Sequence, residues 1–194
     1  ALGYPPIPWV ALTAPRSPAN LQQPSHSPAS SGHRQIPMNP NSDLSPSLVE
    51  RYEALLARLA GFGRVVVAYS GGVDSAVVAR AARQACGTDA LAVTAVSPSL
   101  ASGELEQAQK LAEQIGIAHQ VIETREFDNP NYTSNPANRC YHCKTELYTR
   151  LDALCDRWPD ATVVNGANID DLGDWRPGLQ AAREHRVDSP LVAV

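Results

Sequence analysis

Residues 64–75 read RVVVAYSGGVDS. A run of valines without polar alternation is how a strand buried on both faces reads. It passes into two glycines, and helical composition follows at once in DSAVVARAARQACG, which ends at Gly87. A strand that leaves through a tight turn into a helix begins a crossover unit, so the chain is committed to a layered α/β arrangement.

The alternation persists along the chain. SPSLVERYEALLARLAGFG places Leu48, Tyr52, Leu55, Leu56 and Leu59 on one helical face, with Ser45 or Ser47 as cap and Gly61 as stop. ALAVTAVS is strand-like, 101–116 is an amphipathic helix closed by Gly116, and AHQVIET is a third strand. REFDNPNYTSNPAN reads as a loop, because its two Asn-Pro steps oppose helix. CYHCKTELYTRLDALCDRW is helical, ATVVNGAN is a fourth strand, PGLQAAREH opens a helix at Pro177, and RVDSPLVAV is expected to hold a fifth strand. The expected fold is a doubly wound parallel α/β sheet. Its ligand crevice should form at the strand C-termini, where the loops Ser70–Ser75, Ser97–Ser102 and Asn165–Asp174 are expected to converge.

Composition separates a tail from this body. Ten of the sixteen prolines fall within residues 1–46, among Ser, Gln and Asn. Such a segment cannot bury enough apolar surface to offset its ordering entropy, so 1–44 is expected to be a disordered Pro/Ser-rich tail and 45–194 the folded domain. The net charge of −4 disfavours binding to nucleic acid through bulk positive charge. No apolar run approaches the length of a membrane span, and prolines interrupt the first twenty residues where a secretory signal would lie. Four cysteines, unevenly spaced, do not make a secreted disulfide scaffold, and a reducing, cytoplasmic setting is expected.

The string SGGVDS carries the sharpest chemistry. Gly71 and Gly72 let the backbone turn and approach a ligand without a Cβ in the way. Their N–H groups, with those of Val73 and the helix start, make a positively polarised nest for phosphate. The hydroxyls of Ser70 and Ser75 are expected to donate further hydrogen bonds. Asp74 is suited to Mg²⁺ or to capping the helix rather than to bare phosphate. There is no GK[ST], so this is not a Walker A loop.

Two other segments bear candidates. Cys140 and Cys143 form C-x-x-C before Lys144; on a helix, i and i+3 share a face, suited to a metal, a cluster or a redox pair, or to extending the apolar stripe of Leu147, Leu151 and Leu154. Cys86 and Cys155 lie in apolar helical patterns and read as packing residues. NGANIDDLGDWRPG brings Asn168, Asp170, Asp171 and Asp174 together soon after a strand, either as a solvated turn or as ligand groups. Lys144 and Arg176 are the cations best placed to meet an anionic substrate. The candidate catalytic residues are therefore Asp74, Lys144 and Arg176, and Ser97, Asn168 and Asp171 join the phosphate loop as candidate nucleotide ligands.

SGGVDS in its strand–loop–helix setting closely resembles the PP-loop of the N-type ATP pyrophosphatases, with their adenine nucleotide alpha hydrolase-like fold. Together with AVTAVSPSLASGELEQAQKLAEQIGI, NPNYTSNPANRCYHCKTELY and NGANIDDLGDWRPGLQAAREHRVDSPL, it resembles the ATP-dependent sulfur transferases of the LarE family, which serve the nickel-pincer cofactor of lactate racemase. The resemblance covers roughly residues 48–191. It implies ATP with Mg²⁺, a carboxylated pyridinium mononucleotide activated as an acyl-adenylate, and conversion of that carboxylate to a thiocarboxylate. It further implies that Cys140 and Cys143 are two of three thiolates for a [4Fe–4S] cluster, that the third cysteine lies in a region of the family beyond Ser189-Pro190-Leu191, and that the protein forms homo-oligomers. ATP binding is thus the expectation for the stretch in hand, with completed sulfur transfer depending on that further region. The alternatives are another PP-loop adenylating enzyme, either an amide-forming ligase or a tRNA thiolase, and a non-catalytic ATP-binding module. The acidic charge weighs against tRNA.

Overall fold

The computed structural model describes residues 45–134, 136–173 and 175–194. The expected tail at 1–44 lies outside the described residues, as does Asp174. Four strands form one sheet in the order β3-β2-β1-β4: β1 (Arg64–Ala68), β2 (Ala90–Val96), β3 (Ala118–Glu123) and β4 (Ala161–Val164). All pairings are parallel, with Val66 beside Leu91 on one side and Val163 on the other. The doubly wound parallel α/β sheet read from the sequence is the fold observed.

The sheet's two faces divide the core. Val65 and Val67 of β1 face a cluster with Leu55 and Leu59 of α1 (Pro46–Phe62), Val78 of α2 (Val73–Cys86), and Ala108 and Ala112 of α3 (Glu104–Ile115). Val66 faces the opposite cluster, with Leu147, Leu151 and Leu154 from the helix Arg139–Cys155 and Ala181 and Ala182 from the helix Pro177–Glu184. Alternation within one valine run therefore feeds both layers, and Val65, Val66 and Val67 are each 0% exposed. No helix among the described residues is long and apolar enough to cross a membrane.

Three local expectations are corrected. The first helix does not stop at Gly61: it runs to Phe62, and Gly63, at φ +75°, is the cap whose N–H reaches Ala60 O. The segment 125–138 is not wholly loop. It holds a 3-10 turn at Glu126–Asp128 and the short helix α4 (Pro130–Thr133), because Asn129 caps Asn131 N with its side chain and Pro130 takes the first helical position. The helices Arg139–Cys155 and Pro177–Glu184 are accordingly α5 and α6. The fifth strand expected in RVDSPLVAV is absent among the described residues. Asp188 makes a single parallel bridge with Val164, and Pro190, which has no N–H to continue the ladder, turns the chain into a 3-10 turn at Pro190–Val192.

Leu151 is fully buried on the α5 side of the sheet. Leu151→Ala is expected to lower the unfolding free energy by about 2–5 kcal/mol, measured by urea denaturation.

Candidate functional site

Strand order reverses beside β1, which has β2 on one edge and β4 on the other. The C-terminal ends of β1 and β4 open there into a cavity of about 600 Å³, and the phosphate loop forms one wall. Ser70, Gly72, Val73, Asp74 and Ser75 all face it. The first N–H groups of α2 have no intrahelical acceptor and give this end its partial positive charge.

The two loop glycines do different jobs. Gly71 sits at φ +81°, and a Cβ there would lie 2.9 Å from Ala108 Cβ. It is needed by the backbone and by α3 packed behind it, and it does not face the cavity. Gly72 adopts φ −71° and ψ 162°, extended backbone open to any residue, and its Cβ would meet only Ser70 Oγ at 3.4 Å. Its bareness serves whatever enters the cavity.

The hydroxyls are used within the loop. Ser75 Oγ donates to Gly72 O at 2.9 Å and accepts from Ser70 N at 3.3 Å, while Gly72 N donates to Ser70 Oγ at 3.3 Å. Ser75, 6% exposed, therefore shapes the loop.

The opposite wall comes from the loop after β4. A Cβ on Gly166 would lie 2.6 Å from Ser75 N, so the end of β4 touches the start of α2 backbone to backbone. Asn165, 8% exposed, holds this corner. Its Oδ1 accepts from Ala167 N at 3.0 Å and Ser189 Oγ at 2.9 Å, and its Nδ2 donates to Tyr148 OH at 3.3 Å. Asn168 does not face the cavity. Its Oδ1 accepts from Asp170 N and Asp171 N, and its own N–H donates to Asp171 Oδ2, so it builds the turn. Asp171 faces the cavity and pairs with Arg176, Nη1 to Oδ1, at 2.5 Å.

The three loops do not share one crevice. Ser97 belongs to a neighbouring cavity of about 200 Å³ at the ends of β2 and β3, which meets the larger one at Ala68, Ser70 and Lys144. In the smaller cavity Ser99 Oγ donates to Glu126 Oε1 at 3.1 Å, and Ser97 Oγ lies 2.7 Å from Ser99 Oγ. Glu126 is 2% exposed, and its Oε2 has no hydrogen-bond partner among the described residues. Burial alone would push this carboxyl up, but hydroxyls of Ser97, Thr124 and Ser99 and its own backbone N–H outweigh that and hold it below the usual carboxylate range.

The cysteine pair is split between the cavities. Cys140 is exposed and lines the larger one, against Gly178, whose Cβ would stand 3.0 Å from Cys140 Sγ. Cys143 lines the smaller, and burial pushes its thiol up. Cys86 Sγ donates to Leu59 O, and Cys155, pushed up to about 11 by burial and by Asp152 and Asp156, ends α5 on the far side. Among the described residues no three His, Cys, Asp or Glu side chains are placed to hold one metal. A [4Fe–4S] cluster therefore does not fit the thiols present. Mg²⁺ does, since it needs only one or two carboxylates beside phosphate oxygens, and Asp74 and Asp171 both face the larger cavity.

Sequence reasoning did not single out Asn165, Gly166, Trp175 or Gly178 within the segment 165–178 that it marked, and it missed Tyr148 as a site residue. Only Gly166, two residues past the valine-rich end of β4, left a local signal.

The NAD synthase family pattern matches residues 50–144. An uncharacterized protein of Synechocystis sp. is 54% identical over 128 residues, 66% of this chain and 48% of that protein. Pyridinium-3,5-bisthiocarboxylic acid mononucleotide synthase of Lactiplantibacillus plantarum is 32% identical over 139 residues, 71% of this chain and 50% of that protein. The chain spans about half the length of these curated relatives. Among solved structures, NMN synthetase from Francisella tularensis has a similar fold, with TM-score 0.56 at 17% identity, covering 78% of this chain and 75% of that one.

Two tests follow from the loop and the buried carboxylate. Gly72→Val is expected to fold like the parent yet lose ATP binding by calorimetry, whereas Gly71→Val is expected to lower the melting temperature. Retained ATP affinity in a folded Gly72→Val protein would remove the loop from the site. A carboxyl with a lowered folded pKa stabilises the fold above its unfolded value and loses that contribution as pH falls through the folded one. Melting temperature should therefore drop as pH falls below 4.5, the ordinary glutamate value, and Glu126→Gln should flatten part of that drop.

Proposed function

We propose, for a chain that is a LarE-like member of the PP-loop superfamily, that it binds ATP with Mg²⁺ and adenylylates the carboxylate of a pyridinium mononucleotide on the way to a thiocarboxylate. The observation that carries this is the meeting of the α2 N-terminus, Lys144 and Arg176 around one cavity at the switch point. Polarised N–H groups and fixed cations there can hold a triphosphate and stabilise charge developing on it.

In this reading a carboxylate oxygen of the substrate attacks the α-phosphorus of ATP, the bond to the β-phosphate breaks, and pyrophosphate leaves. A sulfur nucleophile then attacks the acyl carbon, a C–S bond replaces the C–O bond, and AMP departs. Mg²⁺, when bound, screens the phosphate charge. Gly72 leaves room for the phosphates, Val73 and Asp74 present the helix N–H groups, and Asp74 and Asp171 are the hard oxygen donors suited to the cation. Lys144 faces both cavities and can meet the nucleotide from either side. Arg176, held by Asp171, presents a fixed charge on the far wall. Ser97, at the end of β2, belongs to the cavity suited to the nucleoside half. The LarE-family relative is named for a bisthiocarboxylic acid product, which supports sulfur as the nucleophile.

The NAD synthase family match favours one second reading, in which ammonia rather than sulfide attacks the same acyl-adenylate. Exchange of labelled pyrophosphate into ATP is expected to depend on a pyridinium carboxylate mononucleotide and to fall at least tenfold in Asp74→Asn. Exchange independent of the mononucleotide would overturn the substrate. Mass spectrometry with sulfide and ammonium in competition would separate thiocarboxylate from amide.

A further inference from the structure

Most large apolar side chains of the domain are buried, but a few on the β4–α6 connection are not. Ile169 and Leu172 are about half exposed and lie outside the cavity wall, whereas Trp175 is 74% exposed and lines the cavity. From the phosphate-loop side Val73, 79% exposed, lines the same cavity. Two bare apolar groups thus border a chamber that also holds Asp74, Lys144, Asp171 and Arg176.

The chamber has room for more than phosphate. At about 600 Å³ it falls within the range of roughly 300–1,000 Å³ typical of sites that enclose a whole small molecule. Trp175 is also held on a braced segment. Arg176 beside it is paired with Asp171, and Pro177 fixes the first turn of α6. The pairing matters for charge as well, since Asp171 offsets the guanidinium and reduces its repulsion of a cation lying on the indole.

We propose that Trp175 seats the pyridinium ring of the second substrate, with Val73 bordering the ring. This rests on the pyridinium reading of the preceding section. The face of an indole is electron-rich and attracts a cation within about 6 Å of its centroid. A pyridinium is both flat and cationic, so it gains stacking and electrostatic attraction together. Lys144, on α5, lines the same cavity and can meet the carboxylate of that molecule where it approaches the α-phosphate of ATP.

The test is calorimetric titration of the 194-residue chain with nicotinic acid mononucleotide, in the presence of α,β-methylene ATP. Trp175→Ala is expected to weaken mononucleotide binding about 5- to 30-fold, and Trp175→Phe by less. Affinity for α,β-methylene ATP should stay within about twofold of the parent. Reduced nicotinamide mononucleotide, whose ring is uncharged, should show a smaller loss on Trp175→Ala. Equal mononucleotide affinity in parent and Trp175→Ala overturns the seat while leaving the substrate reading intact. Equal loss of both ligands on Trp175→Ala also overturns it, because the residue then shapes the whole cavity. No mononucleotide binding to the parent chain overturns the substrate reading and the seat with it.

Discussion

The backbone of Gly166 lies against the backbone of Ser75, so close that a methyl group on Gly166 would stand 2.6 Å from the Ser75 nitrogen. Everything at the site depends on this contact. It brings the end of β4 onto the first turn of α2, although the two segments are far apart in sequence. The crevice between β1 and β4 is consequently bounded at its floor by main chain, while its walls carry the functional side chains. Main chain at that point is also what a phosphate nest requires, because only N–H groups can approach oxygen without a side chain intervening.

The contact is held from behind by buried polar bonds. Asn165 joins Tyr148 of α5 and Ser189 near the chain's last turn, and its carbonyl oxygen also turns Ala167 back. Asp188 adds a second tie. Its backbone bonds to Val163 and Asn165, and its carboxylate receives Arg58 of α1 through Nε at 3.1 Å and Nη2 at 2.6 Å. A forked pair of this kind fixes orientation as well as distance. The segment that does not become a fifth strand still serves the sheet, because its single bridge and these side-chain bonds hold the end of β4 in place.

The parallel alternation was legible because its signals are local: the valine run of β1, glycines after α2 and α3, and the apolar face of α5. The strand–turn–helix passage around SGGVDS was legible for the same reason. Gly61 and Gly63 offered two stops for α1, and the choice rests on a backbone angle that neither neighbour reveals. Asn129-Pro130 was read as opposing helix, yet the same pair is a cap followed by a first helical residue. The larger gap concerns contacts between distant segments. Asn165 meets partners seventeen positions before it and twenty-four after it, and Gly178 owes its bareness to Cys140 and Lys144 on another helix. Period and composition carry no trace of such pairs. The loops at the strand ends were expected in one crevice, but β2 stands on the far side of β1 from β4, so Ser97 opens into a chamber of its own.

Geometry on α5 explains how the C-x-x-C comes to border both cavities. An α-helix turns by about 100° per residue. Lys144 therefore lies about 40° around the axis from Cys140, while Cys143 lies about 60° from Cys140 in the opposite sense. The two thiols remain near enough to interact, yet Cys140 lines the larger cavity and Cys143 the smaller. Cys140 packs against Gly178 at the wall of the larger chamber, and Cys143 lines the smaller one with Glu126 and Leu147. Lys144 lines both chambers, and its long stem carries the ammonium away from the helix. A short cation at that position would have to serve one of them alone.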